Sequence, residues 1–147
     1  MTVLSLFKTP KPKKSKRGAL IKALDDLTSI KVRERDGYRC RRCGRVAINK
    51  NDVAHHHIFT KTRLTTRWDE RNGVTLDFHC HRWAHAAGEE FRRWVLSWMS
   101  QAEYDALYIK SQMRGGFKIV DLEWLLKGMR KGFDTMTKVD RVAPEKP

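Results

Sequence analysis

The residues that can bind a transition metal are concentrated in about one third of the chain. All three cysteines and all six histidines lie between Cys40 and His85, and none lies elsewhere in the sequence. Histidines that served only in a core or on a surface would be scattered along the chain. An odd number of cysteines argues against a disulfide framework and suits a reducing compartment, where a Cys-x-x-Cys pair usually binds a metal. The segment therefore predicts metal chemistry.

The Cys-x-x-Cys pair opens this segment as Cys40-Arg41-Arg42-Cys43-Gly44. Two cysteines three residues apart on a tight turn can direct both sulfurs at one zinc ion, and Gly44 lets the backbone curl around it. A redox-active pair is the alternative interpretation, but no βαβ pattern surrounds the pair and arginines crowd it. The pattern favours a structural zinc site.

Four histidines have the spacing of an open metal site with a base beside it. His81 and His85 are four residues apart on a predicted helix, so both imidazoles lie on one face and can share an ion. His56 on a facing strand would complete three neutral nitrogen ligands and leave positions open for water or a phosphate oxygen. His57, the next residue, would point to the opposite side and could take a proton from an attacking water. Metal-assisted phosphodiester hydrolysis needs this division of roles, although a second structural zinc site or an adventitious surface metal binder would use the same residues.

A small sheet among helices is expected to position these residues. Apolar residues three or four apart predict the helices, and alternation of side chains predicts the strands. Gly37, Gly88 and Gly115 mark the expected stops or weak points of helices. The predicted elements, in chain order, are a helix over 19–35, a short strand at 38–40, a strand over 52–59, a loop over 60–71, a tight turn at Asn72-Gly73, a short strand at 74–76, and helices over 79–99, 100–113 and 121–130.

The expected fold class is α+β and mostly α, with a small ββα-metal core that carries the zinc-binding Cys-x-x-Cys turn and is flanked by helices. Residues 1–18 carry a run of basic residues and prolines, which predicts a disordered arm that either contacts DNA phosphates or is simply solvated. Residues 19–130 are expected to form one domain, with its core at about 36–90 and C-terminal helices over 91–130. A flexible tail is expected over 131–147.

The charge of the chain predicts a polyanionic partner. The formal net charge is +14, and nucleic acid is the commonest partner of such a protein, with an anionic membrane surface as the alternative. No apolar run is long enough to span a bilayer and no signal-peptide pattern is visible, so a cytoplasmic location without membrane insertion is expected. The candidate phosphate contacts are Arg39, Arg41, Arg42, Arg45, Arg63, Arg67 and Arg71.

The order of these motifs resembles the HNH endonucleases, the ββα-metal nucleases. The segment that leads into the Cys-x-x-Cys pair is similar to that of many such proteins, and reads Val32-Arg33-Glu34-Arg35-Asp36-Gly37-Tyr38-Arg39-Cys40. The resemblance implies that His56 and His81 bind the catalytic metal and that His57 is the general base. It also implies that Asn72 tethers the catalytic loop, and it matches His85 to the additional helix histidine of the colicin-like branch.

The likeness covers about residues 30–90 and departs from the family at the cysteines. Many cysteine-bearing members have a second Cys-x-x-Cys just before the last histidine, whereas here Asp77 stands where the partner of Cys80 would be. The resemblance therefore implies a structural zinc with three thiolate ligands and a fourth ligand that stays open. The thiolates are Cys40, Cys43 and Cys80, and the candidates for the fourth position are Asp77, His79 and His55.

Two further points stay open from the sequence. The triple histidine also allows His55 and His56 to be the functional pair, but the apolar Ile58 directly after His57 favours His56 and His57. The Asn72-Gly73 dipeptide is a common tight turn, so Asn72 can be present for its backbone alone.

The function that the resemblance implies is metal-dependent DNA endonuclease activity, with Mg²⁺, Mn²⁺, Ni²⁺ or Zn²⁺ as catalytic ion and Zn²⁺ as structural ion. A weaker likeness to the phage NinG/Rap-type recombination nucleases rests on residues 66–72. It implies recombining or branched DNA as substrate, a phage or prophage origin and a bacterial cytoplasm. The alternatives are a non-enzymatic zinc-stabilised DNA-binding module and an RNA-directed nuclease. The oligomeric state stays open, and a homodimer would allow cleavage of both strands.

Overall fold

The structure, a computed structural model, describes residues 15–139, with side chains up to residue 132. As expected, it is mostly helical and contains a small two-stranded antiparallel sheet. The elements, in chain order, are α1 Lys16–Arg35, β1 Val53–His57, α2 Leu64–Arg67, β2 Gly73–Asp77, α3 Phe78–Ala86, α4 Gly88–Leu96, α5 Gln101–Gln112 and α6 Ile119–Val139, and 3-10 turns occupy Lys50–Asp52 and Glu70–Asn72.

The sheet lies between α1 and α3, which both pack on its strands. β1 and β2 pair with His56 opposite Val74 and with Val53 opposite Asp77. Every residue of β2 is buried, as a strand covered on both faces requires. β2 leads directly into α3, and Asp77 caps that helix because its carboxylate accepts a hydrogen bond from the Cys80 N–H. The end of the sheet and the start of α3 are therefore one rigid unit.

Two apolar clusters stabilise this arrangement. One surrounds β2 and the helices that follow it, and the other joins α1 to α6 through Leu24, Leu122 and Leu126. Burial of each of these leucines contributes about 2 kcal/mol. The buried residues of the first cluster are Cys40, Val74, Leu76, Cys80, Ala84, Phe91, Val95, Met99 and Leu107.

The first helix begins earlier than its apolar pattern predicts. α1 starts at Lys16 and not at Ala19, because the Ser15 hydroxyl accepts a hydrogen bond from the Gly18 N–H and caps the helix. The last residues of the expected basic arm therefore belong to α1, and residues 1–14 lie outside the part of the chain that the structure describes. The predicted stop is confirmed, since Gly37 has a φ of 63°.

The long helix expected over 79–99 is two helices. α3 ends and α4 begins at Ala87, whose φ of −121° and ψ of 62° are not helical, and the break falls beside the weak point predicted at Gly88. The loop expected over 60–71 is also partly regular, since it contains α2 and a 3-10 turn. The strand expected at 38–40 is reduced to one bridge between Arg39 and Val46.

The tight turn expected at Asn72-Gly73 is not formed. Gly73 is the first residue of β2 and has an extended φ of −118°. A Cβ atom on Gly73 would lie 2.5 Å from Nε2 of His55 and 2.8 Å from a methyl carbon of Val32. Glycine is needed here for close packing and not for a positive φ.

The last helix is longer than expected. α6 runs from Ile119 to Val139, so it extends beyond the predicted end at Arg130 and takes in part of the tail expected to be flexible. Residues 140–147 lie outside the described residues. No helix in the described part of the chain is both long and apolar enough to cross a membrane.

Asp69 ties α5 to the segment before β2. Its carboxylate accepts hydrogen bonds from Nζ of Lys110 and from NH2 of Arg71, both at 2.7 Å. Burial acts to raise the pKa of Asp69, but these bonds outweigh it and hold the pKa far below its usual value.

Replacing Asp69 with asparagine is expected to lower the free energy of unfolding by roughly 1–2 kcal/mol at pH 7. A carboxylate with a depressed pKa stabilises the fold above its unfolded pKa, and this stabilisation is lost as the pH falls. The difference between wild type and Asp69→Asn should therefore shrink as the pH falls below about 4. Urea unfolding over a pH series measures it. Asp26→Asn, which removes an exposed pair with Lys22, should change the free energy by less than about 0.5 kcal/mol. A pH-independent effect of Asp69→Asn would contradict the ion-pair explanation.

Candidate metal centres

A cluster of three cysteines and one aspartate lies at the joint of the Cys-x-x-Cys turn, β2 and α3. The Sγ atoms of Cys40, Cys43 and Cys80 and a carboxylate oxygen of Asp77 all lie within 4.8 Å of one another. Of the three candidates for a fourth ligand, Asp77 is the one in this cluster. His79 is exposed on α3, and His55 lies on β1 with Nε2 buried and without a hydrogen-bond partner.

The local backbone explains why these four groups converge. The Cys40 N–H donates to the Arg45 carbonyl at 2.8 Å, and the Gly44 N–H donates to the Cys40 carbonyl at 2.9 Å. Gly44 has a φ of 77°, which glycine adopts without strain. The Arg41 N–H donates to the Thr75 carbonyl at 2.9 Å, so the turn is attached to β2 beside the start of α3.

The chemistry of this donor set fits a structural metal such as zinc. Sulfur ligands of a tetrahedral zinc lie about 3.8 Å apart, which is compatible with the observed spacing. Burial raises the pKa of the Cys80 thiol to about 12, and the nearby Cys40 sulfur adds to this shift. Ionisation of several thiols at one place needs a compensating cation, and a bound metal supplies it.

Two arginines that were expected to contact phosphate stack on tryptophans beside the cysteine cluster. The Arg42 guanidinium lies 3.8 Å from the centre of the Trp83 ring, and its NH1 lies 3.6 Å from Sγ of Cys80. The Arg41 guanidinium lies 3.9 Å from the centre of the Trp98 ring. Arg42 therefore places positive charge against a sulfur of the cluster. Its contacts with Trp83 and Cys80 hold the guanidinium in place.

The second cluster brings together His56, His81 and His85. Their ring nitrogens lie within 4.8 Å of one another, and each pair of ring centroids is 4.8 Å apart. Nitrogens bound to one tetrahedral ion would be about 3.4 Å apart, so small side-chain rotations suffice. His56 is buried against Phe91 and His85 is exposed. The cluster is therefore held on one side and open to solvent on the other.

Two histidines of this cluster, His56 and His81, have lowered pKa values that favour the neutral form. Burial lowers the pKa of His56 to about 3, and the neighbouring His81 and His85 add to the shift. Burial likewise lowers the pKa of His81, with His85 contributing. Neutral imidazole nitrogens have a free lone pair at neutral pH, which a metal ion requires.

His57 lies outside this cluster, as the alternation of the strand predicts. Its Nε2 is 3.1 Å from the Arg67 carbonyl oxygen. Because a carbonyl oxygen only accepts hydrogen bonds, Nε2 carries the proton and Nδ1 keeps its lone pair. Burial lowers the pKa of His57, and the bond to Arg67 and the charge of Asp25 partly offset this. His57 is therefore a neutral base with a fixed tautomer.

The carbonyl that orients His57 is itself held by Asp25 of α1. Asp25 accepts from Nε and NH2 of Arg67 at 2.8 and 2.7 Å, and from Nε1 of Trp68 at 2.8 Å. The Arg67 guanidinium therefore forms an ion pair with Asp25, and Arg71 forms one with Asp69 while its side chain stays largely exposed. The phosphate contacts expected of these two arginines stay predictions. No sequence signal links Asp25 to Arg67, because the two residues are far apart along the chain.

The remaining arginines that were expected to contact phosphate differ in the contacts of their guanidinium groups. NH1 of Arg39 donates to the Gly44 carbonyl at 2.9 Å. Arg45 and Arg63 are exposed and have no acidic partner among residues 15–132. Among residues 15–132, neither Arg45 nor Arg63 is held by an ion pair.

Asn72 is fully buried and connects the two ends of the segment between the strands. Its Oδ1 accepts from the Phe59 N–H at 2.7 Å, and its Nδ2 donates to the carbonyls of Phe59 and Thr66 at 2.8 and 3.1 Å. Its own carbonyl accepts from the Ile58 N–H at 2.8 Å. The Asn72 side chain therefore fixes the segment between β1 and β2 at Phe59 and at Thr66, the residue before the Arg67 carbonyl that contacts His57.

Replacing Asn72 with alanine is expected to lower the free energy of unfolding by roughly 2–4 kcal/mol, because one buried and two partly buried backbone groups lose their partner. Chemical denaturation measures the change. Asn72→Asp should be destabilising as well, since a carboxylate cannot donate to the two carbonyls. Asn51→Ala, at an exposed position, is the control and should change stability by less than about 0.5 kcal/mol. Equal stability of Asn72→Ala and wild type would contradict the tether.

One cleft is lined by five of the six histidines, namely His55, His56, His57, His81 and His85. Its volume is about 860 Å³. His56, His81 and His85 lie in its wall together with His57, and Asp25, Lys61 and Arg92 line it as well. The same cleft is therefore lined by the three-histidine cluster and by His57. Comparison of the chain with protein-family models, with curated proteins and with solved structures finds no match, so the assignment of this cleft depends on its geometry and chemistry.

Proposed function

We propose that the chain is a metal-dependent DNA endonuclease of the HNH type. The observation that carries the proposal is the cleft in which a three-histidine cluster, open on one side, lies next to a fourth histidine with a fixed tautomer. The net charge of +14 supports a nucleic acid as the substrate. The cysteine cluster is proposed to hold a structural zinc that fixes the joint of β2 and α3.

The proposed mechanism divides the work among the histidines. His56, His81 and His85 would hold a divalent cation, which would supply positive charge beside the phosphate and the leaving oxygen as water forms a bond to phosphorus and the ester P–O bond breaks. Nδ1 of His57 accepts the proton of the attacking water. Asn72 keeps the loop closed, and Asp25 keeps Arg67 in place, so that the carbonyl that orients His57 does not move.

A plasmid assay tests the proposal. Supercoiled DNA is incubated with the full chain and Mg²⁺, Mn²⁺, Ni²⁺ or Zn²⁺. We expect nicked circles with at least one metal, loss of nicking in EDTA, and recovery when the metal is added in excess. A panel of duplex, flap and four-way junction substrates then identifies the preferred DNA form, and an RNA arm tests the RNA-directed alternative. If no nucleic acid is cut under any metal while DNA is still bound, a non-enzymatic zinc-stabilised DNA-binding module replaces this proposal.

A further inference from the structure

A groove continues from the histidine cleft along the loop after β1. The cleft shares Phe59, Thr60 and Thr62 with a neighbouring cavity of about 510 Å³. That cavity shares Thr62, Arg63 and the end of α5 with a third cavity of about 630 Å³. The three cavities therefore adjoin one another along this loop and the end of α5, in the order in which a chain-like ligand leaving the histidine cleft would meet them. The third cavity is lined by Thr62, Arg63, Leu64, Ser111, Gln112, Met113, Arg114, Gly115 and Gly116.

The walls of this groove are fixed by contacts between α2 and α5. The Thr65 hydroxyl donates to the Lys110 carbonyl at 2.7 Å, and the Lys110 ammonium pairs with Asp69 at 2.7 Å. A Cβ atom on Gly115 would lie 3.3 Å from a methyl carbon of Thr65, so glycine allows the segment after α5 to lie close to α2. The groove is therefore formed without a ligand.

The groove presents positive charge that no acidic side chain between residues 15 and 132 neutralises. Arg63 and Arg114 are exposed, and neither has an acidic partner among the residues whose side chains are described. No acidic residue lines either of the two outer cavities. The acids of the histidine cleft are already paired, since Asp25 binds Arg67 and Asp26 binds Lys22.

The other lining groups suit an anionic ligand with many oxygens. The hydroxyls of Thr60 and Thr62 and the amide of Gln112 line the cavity next to the cleft. The two threonine hydroxyls bond each other at 2.6 Å, which leaves one of them to donate to a phosphate oxygen, and Gln112 keeps a second amide N–H beside the one it donates to Ser111. The guanidinium groups of Arg63 and Arg114, together with these hydroxyl and amide donors, can bind successive phosphates of a nucleic-acid backbone.

We propose that this groove binds the backbone of the nucleic-acid strand that continues from the scissile phosphate, with Arg63 and Arg114 as phosphate contacts. The inference rests on the proposed function, because the histidine cleft defines where the strand starts. The shared chemistry is that of a phosphodiester chain, which DNA and RNA both supply.

Salt dependence of binding tests the groove without requiring cleavage. Labelled single strands of DNA and RNA with one sequence are titrated with the full chain over a series of salt concentrations, without added divalent metal. The logarithm of the binding constant falls with the logarithm of the salt concentration. We expect this fall to become less steep by about 1.4 in Arg63→Ala/Arg114→Ala, which is about 0.7 for each lost phosphate contact on a single strand. Arg63→Lys/Arg114→Lys keeps both charges and should retain most of the slope. Far-UV circular dichroism checks that each variant is folded.

A charge-matched control distinguishes the groove from net charge. Lys127→Ala/Arg130→Ala removes two cations from α6, which lines none of the three cavities, and should leave most of the slope unchanged. An equal loss in this control, or an unchanged slope in Arg63→Ala/Arg114→Ala, would overturn the groove proposal. A slope change on RNA alone would overturn DNA as the occupant.

The two proposals fail separately. A wild type that binds through Arg63 and Arg114 but cuts no nucleic acid retains the groove and rejects the nuclease. A wild type that cuts DNA and shows the same salt slope with and without these arginines retains the nuclease and rejects the groove.

Discussion

Replacing Cys40 with alanine is expected to remove one equivalent of zinc from the protein and to lower the free energy of unfolding by at least about 3 kcal/mol. Cys40 is fully buried in the cluster of apolar residues around β2, so the change removes both a ligand and a packed side chain. Without the metal, the Cys-x-x-Cys turn and the start of α3 lose the link between them. Elemental analysis after dialysis and thermal unfolding measure the two effects.

Two further variants separate the ligand from the packing. Cys43 is exposed, so Cys43→Ala removes a ligand with little loss of packing, and zinc should still be lost. Val95 is fully buried in the same apolar cluster, so Val95→Ala should lower the stability by about 1–3 kcal/mol while zinc is retained. A strong chelator should lower the Tm of wild type and not that of Cys40→Ala. Wild type without zinc, or Cys40→Ala with a full equivalent, would contradict the structural site.

Replacing His57 with alanine is expected to reduce the rate of DNA nicking by about 10²- to 10⁴-fold, because the attacking water loses its base. The loss should occur with the fold and both candidate metal sites intact, since His57 belongs to neither cluster. Plasmid nicking under single-turnover conditions measures the rate. His57→Gln is the sharper variant: its amide can still donate to the Arg67 carbonyl, but it cannot take up a proton, so the same loss is expected.

Other histidines provide the matched controls for His57. His79 is exposed and belongs to neither metal cluster, so His79→Ala should cut DNA at the wild-type rate. His55 tests the register of the triple histidine. If His55→Ala abolishes nicking in a folded protein while His57→Ala does not, His55 and His56 are the functional pair and the present assignment is wrong.

Most of the regular structure follows from local patterns. Helical spacing of apolar residues and the capping box at Ser100 predict α1 and α5, and both are confirmed. Alternation along β1 predicts that His56 and His57 point to opposite sides, and the structure places them so. The exact ends differ where a single side chain decides them. Ser15 extends α1 by capping it, and a non-helical Ala87 divides the long helix.

Part of the candidate site could be predicted because spacing within one element is a local property. His81 and His85 are one turn apart on a helix whatever the rest of the fold does. The cysteine turn is likewise set by two cysteines and Gly44. The identity of the fourth group beside the cysteines is not local, because Asp77 reaches Cys43 only when the turn docks on β2. The sequence therefore leaves Asp77, His79 and His55 open, and packing chooses Asp77.

The roles of the charged residues were the hardest to predict. Arg67 and Arg71 are predicted phosphate contacts, and the structure shows that each also forms an ion pair, Arg67 with Asp25 and Arg71 with Asp69. The partner of Arg67 lies on α1, far away in the chain, so the sequence does not reveal it. The sequence by itself thus determined which chemical groups are present and which neighbours share a helix face or strand side, since backbone geometry sets both. Only the tertiary structure decided that Asp77 joins the cysteines, that Asp25 holds Arg67 behind His57, and that Arg63 and Arg114 have no acidic partner among residues 15–132, because each depends on contacts between distant segments.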